Sequence, residues 1–327
     1  MAAEGNVNRE RAAKYAGQFR EIRVLRDLTV MPRDRRWREG PPPVDAEPHR
    51  VVLYLGCNVL RTSHMVRTVI DVFDLLGVDY VAVGGAAYCC GSPHQRGGDK
   101  ELADAVAART VRFFERYQPE RVVMWCPSCI FLYDEVYDIP ASYQTQQVAE
   151  FLAEHIGEFK FVRDVTQKVA LHYHSNRPRR VQEGRAAEAL LSAVPGLELA
   201  RSDTDARLDR ACTEANQQKL GMETWRGIIE GQFQAAVDAG AGVFATMYHG
   251  CQRMLCTYED RYPLAVEHYL SVFARALGIE HEDKYKKYRL WRDPDRVLAN
   301  ASPCMRANNV DPAEARRVVE KVFPREG

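Results

Sequence analysis

From residue 50 onward, short apolar runs alternate with longer amphipathic segments. "RVVLYL" (50–55) is apolar after its first residue, the pattern of a strand buried on both faces. "TSHMVRTVIDVFDLLG" (62–77) repeats its apolar residues at helical spacing, with Thr62 or Ser63 as a cap and Gly77 as a stop. "VDYVAV" (78–83) predicts a second strand, "DKELADAVAARTVRFFERY" (99–117) a long helix, and "ERVVMW" (120–125) a third strand that runs directly into "CPSC". Strands alternating with helices imply a parallel sheet.

The same order then recurs. "QKVALHYHSN" (167–176) repeats the pattern of "HRVVLYLGCN" (49–58). "RRVQEGRAAEALLSAV" follows as a helix, "GLELARS" as a strand, "METWRGIIEGQFQAAVDAG" as a long helix, and "AGVFATMYHGC" as the counterpart of "ERVVMWCPSC". The repeat of about 120 residues predicts an α/β fold of two Rossmann-like parallel-sheet halves related by internal duplication. Residues 1–48 read as an N-terminal arm ending in the linker "GPPPVDAEP", with one helix over "KYAGQFREIRVLRDL". The first half is expected over 49–140, a linker and the second half over 141–260, and a C-terminal helix and tail over 261–327. "FLYDEVYDIPASYQTQQVAEFLAEHI" reads as the connector and "PLAVEHYLSVFARALG" as the helix that opens the tail.

Cysteine placement changes the picture most. Cys57 follows the first strand, Cys89 and Cys90 lie in the loop after the second, and Cys126 and Cys129 follow the third. In an open parallel sheet the carboxyl ends of the strands gather at one edge, so five thiols distant in sequence are expected to converge. A single tetrahedral zinc needs four ligands, and two adjacent cysteines suit it poorly. An iron–sulfur cluster spreads its irons, so neighbouring thiolates can reach different ones. Buried packing cysteines are the bland alternative, but they do not explain five thiols at loop starts.

Balanced charge, with 45 acidic and 45 basic residues, gives no bulk attraction for nucleic acid. No apolar window is long enough for a membrane span, and the N-terminus lacks the apolar core of a secretory signal. A cytoplasmic location is therefore expected, where nine cysteines point to metal or redox chemistry. The glycines at 84–85 and 97–98 do not sit between a first strand and its helix, so no NAD or flavin site is expected. His94 and Arg96, after the Cys-Cys-Gly triplet, are candidates for favouring thiolate or binding an anion.

The spacing, 31 residues between Cys57 and the Cys89-Cys90-Gly91 triplet and 35 between Cys90 and Cys126-Pro127-Ser128-Cys129, resembles the cysteine-rich CCG domain of the heterodisulfide reductase B subunit. Related copies occur in glycolate and lactate oxidation iron–sulfur proteins and in some succinate or fumarate reductases. The resemblance covers about 50–260. It implies that Cys57, Cys89, Cys90, Cys126 and Cys129 ligate a [4Fe-4S] centre, which is non-cubane in the reductase itself. It further implies an oxidoreductase subunit of an Hdr-like complex that handles thiol, disulfide or sulfur-compound electron transfer. A ferredoxin-like iron–sulfur subunit and a flavoprotein subunit are the implied partners, with the N-terminal arm a candidate docking element. The other two readings are a pure electron-relay subunit and a zinc-stabilised interaction protein.

Aligning Asn58 with Asn176 places Ser175, Ala211, Cys212, Tyr248 and Cys251 where Cys57, Cys89, Cys90, Cys126 and Cys129 stand. Only Cys212 and Cys251 survive as thiols, so one cluster is expected, in the first half. A degenerate repeat kept for packing is the preferred reading of the second half. A mixed site of Cys212 and Cys251 with nearby His172, His174, His249 or Cys256, and a redox-active dithiol, are its rivals.

Overall fold

The computed structural model describes residues 2–200, 204–209 and 211–325, with side chains from residue 15 onward. Helix α1 (Ala2–Asp27) leads into the first half: β1 (Val51–Gly56), α2 (Ser63–Leu76), β2 (Tyr80–Gly84), α3 (Ser92–Arg96), α4 (Lys100–Glu115), β3 (Arg121–Met124), α5 (Pro127–Glu135), β4 (Gln144–Gln147) and α6 (Val148–Glu154). The second half repeats that order: β5 (Gln167–His172), α7 (Pro178–Ser192), β6 (Leu197–Ala200), α8 (Glu214–Leu220), α9 (Met222–Asp238), β7 (Val243–Thr246), α10 (His249–Leu255), β8 (Ala265–His268) and α11 (Tyr269–Ala276). Helices α12 (Lys284–Trp291), α13 (Pro294–Ala307) and α14 (Pro312–Val322) form the tail. Of the strand expected over "GLELARS", Arg201 and Ser202 lie outside the described residues.

Each half has one four-stranded, all-parallel sheet, ordered β2-β1-β3-β4 and β6-β5-β7-β8. Register repeats as well as order. Tyr54 pairs with Met124 and Met124 with Gln147; at the equivalent positions His172 pairs with Thr246 and Thr246 with His268. The fold is therefore an internally duplicated α/β structure with an N-terminal arm and a helical tail.

The fourth strand of each sheet lies where the sequence reads otherwise. β4 falls inside the expected connector, and β8 inside the helix expected over 263–278. Both strands are four residues long and run directly into a helix. Such a short strand cannot be told from the amphipathic helix it feeds by periodicity. Gln147 and His268 each cap the helix that follows, accepting from Ala149 N–H and Leu270 N–H respectively.

Along β1, Val51, Leu53 and Leu55 face a core shared with the second half, and Val52 and Tyr54 face a separate cluster under α4 and α5. The halves meet through α6 against α7 and α2 against α11, two contacts that exchange when the halves are swapped. Trp125 stacks on His268 across this boundary, ring centroids 5.1 Å apart. The arm is less independent than its polarity suggests. Val24, Leu25 and Leu28 are buried with Cys256, Tyr288, Val297 and Phe323 of the second half and tail, so this part of the arm serves as a wall of its own chain.

Candidate metal centres

In the first half, the loops after β1, β2 and β3 bring Cys57, Cys89, Cys90, Cys126 and Cys129 to one sheet edge. Four are buried and Cys126 is half-buried. The loop carrying the adjacent pair is pinned by three successive carbonyls. Tyr54 Oη donates to Tyr88 O at 2.6 Å, Thr110 Oγ1 to Cys89 O at 2.8 Å, and Tyr137 Oη to Cys90 O at 2.8 Å. Side chains of β1, of α4 and of the segment after α5 thus fix the backbone that carries the two thiols.

Gly91 makes that turn. Its φ is +79°, left-handed, and it precedes the first turn of α3. A Cβ there would lie 2.6 Å from Ala103 O and 2.7 Å from Tyr137 Oη. Glycine is therefore required twice over, for conformation and for the close approach to α4. Its N–H points at Cys89 Sγ, 3.4 Å away.

The five thiols divide into two groups in contact: Cys57 with Cys89, and Cys129 with both Cys126 and Cys90. Within each, one member gives up its proton more readily. Cys57 lowers the Cys89 thiol against the opposing effect of burial, with the Gly91 amide and Arg109 assisting. Cys126 is pushed down to about 7, by Cys129 first and, against burial, by the Cys129 and Ser128 amides at the start of α5 and by Arg180. The Cys57 and Cys129 thiols are raised by these same neighbours and by burial. The donors are soft thiolates, which suit iron–sulfur clusters or zinc. His94 packs against the Tyr15 ring at 4.1 Å, and Arg96 donates to Ser92 O within its own turn.

The second half brings together a different set. Cys212 and Cys251 meet His172 and His174, and the four ligand atoms lie within 4.8 Å of one another, all buried. His172 Nε2 is 3.3 Å from Cys212 Sγ; His174 Nε2 is 3.2 Å from Cys251 Sγ and 3.8 Å from Cys212 Sγ. Cys212 N–H donates to Cys251 Sγ at 3.3 Å. The other ring nitrogens are engaged as well, His172 Nδ1 with Gln232 Oε1 at 2.7 Å and His174 Nδ1 with Asp209 O. Burial works to raise both thiols. It prevails at Cys212, while Cys212, His174 and His172 hold Cys251 well below the usual thiol range.

The repeat register sets these four residues near one another without bringing them into one site. Of the rivals named with them, Cys256 lies in the core beneath α1 and the tail, and His249 is buried, with burial pushing it down to about 3. The missed signal is the spacing "HYH": the register that pairs Asn58 with Asn176 puts His172 on Tyr54 and His174 on Gly56. In the first half Tyr54 Oη lies 3.7 Å from Cys129 Sγ, and a Cβ on Gly56 would meet Cys129 Sγ at 3.5 Å. Both positions therefore aim at the thiol whose counterpart is Cys251.

A buried polar relay joins the two sites. Tyr248, the residue before α10, donates to Glu183, Glu183 pairs with Arg180 at 2.6 Å, and Arg180 donates to Pro127 O at 2.6 Å, beside Cys126.

Residues 51–132 match the model of the cysteine-rich CCG domain. The chain is 26% identical over 256 residues to the D subunit of the dihydromethanophenazine:CoB–CoM heterodisulfide reductase of Methanosarcina mazei, covering 73% of this chain and 62% of that one. It is 25% identical over 157 residues to an iron–sulfur protein of Methanocaldococcus jannaschii, covering 48% of this chain and 31% of that one. An aspartate racemase homologue from Pyrococcus horikoshii OT3 is similar in structure at 10% identity and a TM-score of 0.33, over 70% of this chain and 97% of that one, too low to bear on function. The chain spans less than two thirds of the length of the reductase D subunit it matches. No helix among the described residues is long and apolar enough to cross a membrane. Residues 51–132 thus carry the CCG cysteine-rich domain, within a chain whose sequence is similar to the heterodisulfide reductase D subunit.

Proposed function

We propose that this chain is an iron–sulfur redox subunit of a heterodisulfide reductase-like complex, with Cys57, Cys89, Cys90, Cys126 and Cys129 as ligands to one [4Fe-4S] cluster, cubane or non-cubane. The observation that carries this reading is the convergence of five thiols from three strand ends on one edge, around a loop whose three successive carbonyls are each held by a side-chain hydroxyl. Such a cluster supplies one-electron exchange and iron sites that a sulfur substrate can reach. The chain's own residues do the rest. Gly91 and the three hydroxyls fix the adjacent thiols, the α5 N-terminus and Arg180 favour the Cys126 thiolate, and the surrounding aromatic core keeps water out.

Electrons reach or leave this site through partners, for which a ferredoxin-like iron–sulfur subunit and a flavoprotein subunit fit the chemistry. The substrate is a thiol, disulfide or related sulfur compound, and the working location is the cytoplasm. Protein prepared without oxygen should show broad visible absorbance that bleaches with dithionite. Cys89→Ser and Cys90→Ser should each strip or alter it, and an unchanged spectrum in both variants would show that the ligands are misassigned. Reduction of an organic disulfide by the isolated chain with reduced viologen separates direct action on a substrate from electron relay.

A further inference from the structure

We propose that the second half holds a single zinc ion on His172, His174, Cys212 and Cys251. The inference stands independently of the iron–sulfur reading of the first half, because it uses none of its residues.

The geometry is that of a closed tetrahedral site. Zinc bonds of about 2.3 Å to sulfur and 2.0–2.1 Å to nitrogen, at tetrahedral angles, separate a nitrogen from a sulfur by about 3.6 Å. The three nitrogen–sulfur distances here are 3.3, 3.2 and 3.8 Å. The imidazoles are also oriented as zinc ligands are. A backbone carbonyl only accepts, so His174 carries its proton on Nδ1 toward Asp209 O and turns the Nε2 lone pair toward the thiols. His172 is held the same way by Gln232 Oε1. Two thiolates, two neutral imidazoles and one divalent ion sum to zero charge, as a wholly buried site requires.

All four ligands are buried and all come from the protein, which describes a structural ion with no open position for a substrate. The ion would tie the end of β5, the turn before α8 and the first turn of α10 together at the carboxyl edge of the second sheet. The two halves differ at the positions that decide this. Where the first half has Gly56 and a tyrosine, leaving the thiols room around a larger group, the second has two histidines that reach into that volume. Single-ion ligands thus replace a multi-iron set on an unchanged backbone plan.

Zinc analysis and zinc K-edge X-ray absorption on protein purified without chelator and without added zinc test this. The expected result is about one zinc per chain, with about two sulfur and two nitrogen neighbours. Cys251→Ser and His174→Asn should lose it while iron is retained. Cys90→Ser should keep the zinc, and Gln232→Leu should weaken it by about 10–100-fold against a competing chelator. A four-sulfur zinc shell would place the metal on the first-half cysteines and overturn the proposal. So would iron in place of zinc, or metal-free protein in which Cys212 and Cys251 are both alkylated on unfolding or form a disulfide. Should Cys251→Ser fail to fold, the absorption spectrum of the wild-type chain decides alone.

Discussion

Arg180→Met severs the buried relay between the two halves at its centre. Arg180 is 1% exposed and Glu183 0%, so the substitution leaves the Glu183 carboxylate with only the more distant Arg179, 3.8 Å away, as a cation and deprives Pro127 O of its side-chain donor. Breaking a buried pair from one side costs about 3–5 kcal/mol, because the remaining charge cannot be resolvated. A chain of this length has an unfolding entropy of about 0.7 kcal/mol/K, so the loss corresponds to a fall of about 4–7 °C in melting temperature. Arg180→Met/Glu183→Leu removes the stranded charge and leaves Tyr248 Oη without its acceptor, a cost of about 1–3 kcal/mol. Differential scanning calorimetry on the metal-loaded chain should therefore rank wild type above the double variant and the double above the single. A double variant that melts as low as the single, or a single within about 1 °C of wild type, would refute the assignment of the relay as a charge-balanced connection.

Other consequences are equally open to measurement. Gly91→Ala should cost at least about 1–2 kcal/mol for the left-handed turn alone, with the clash against Ala103 O added, and should lower both melting temperature and iron content. His64 and His268 are buried, and burial holds both below the ordinary histidine range. Their folded pKa values are depressed, so their contribution is complete above about pH 6.5 and is lost as pH falls, by at most about 1 kcal/mol each between pH 6.5 and 5.5. Urea midpoints across that interval should fall accordingly, and His268→Gln should flatten the dependence. Deleting residues 1–48 removes the buried side chains of Val24, Leu25 and Leu28, worth about 5–9 kcal/mol together. The truncated chain should unfold more readily even without partners, and unchanged stability would show that the arm packs elsewhere.

The duplicated plan was legible because β1, β2 and β3 are apolar runs between clear helices, and because Asn58 and Asn176 fix a common register. The first-half thiols were legible for a related reason: each lies just beyond a strand end, so topology alone gathers them. What escaped has identifiable causes. β4 is Gln-Thr-Gln-Gln, with no apolar run to mark a strand, and β8 runs into a helix whose 3.6-residue periodicity masks it. The polar composition of the arm hid the few apolar residues that dock it. The His172/His174 pair was named only among several rivals, because comparing cysteine with cysteine does not single it out: its positions correspond to Tyr54 and Gly56, which carry no ligand chemistry in the first half. Alternation along a strand places residues two apart on the same side, and that rule would have put both histidines beside Cys212 and Cys251.

The most direct test of the central claim is to count iron, acid-labile sulfide and zinc in one anaerobic sample of the full chain. An iron–sulfur centre on the five first-half cysteines predicts about four iron and a comparable amount of sulfide per chain, lost together in Cys57→Ser or Cys129→Ser. Zinc without iron or sulfide, bound through those same cysteines, would contradict it.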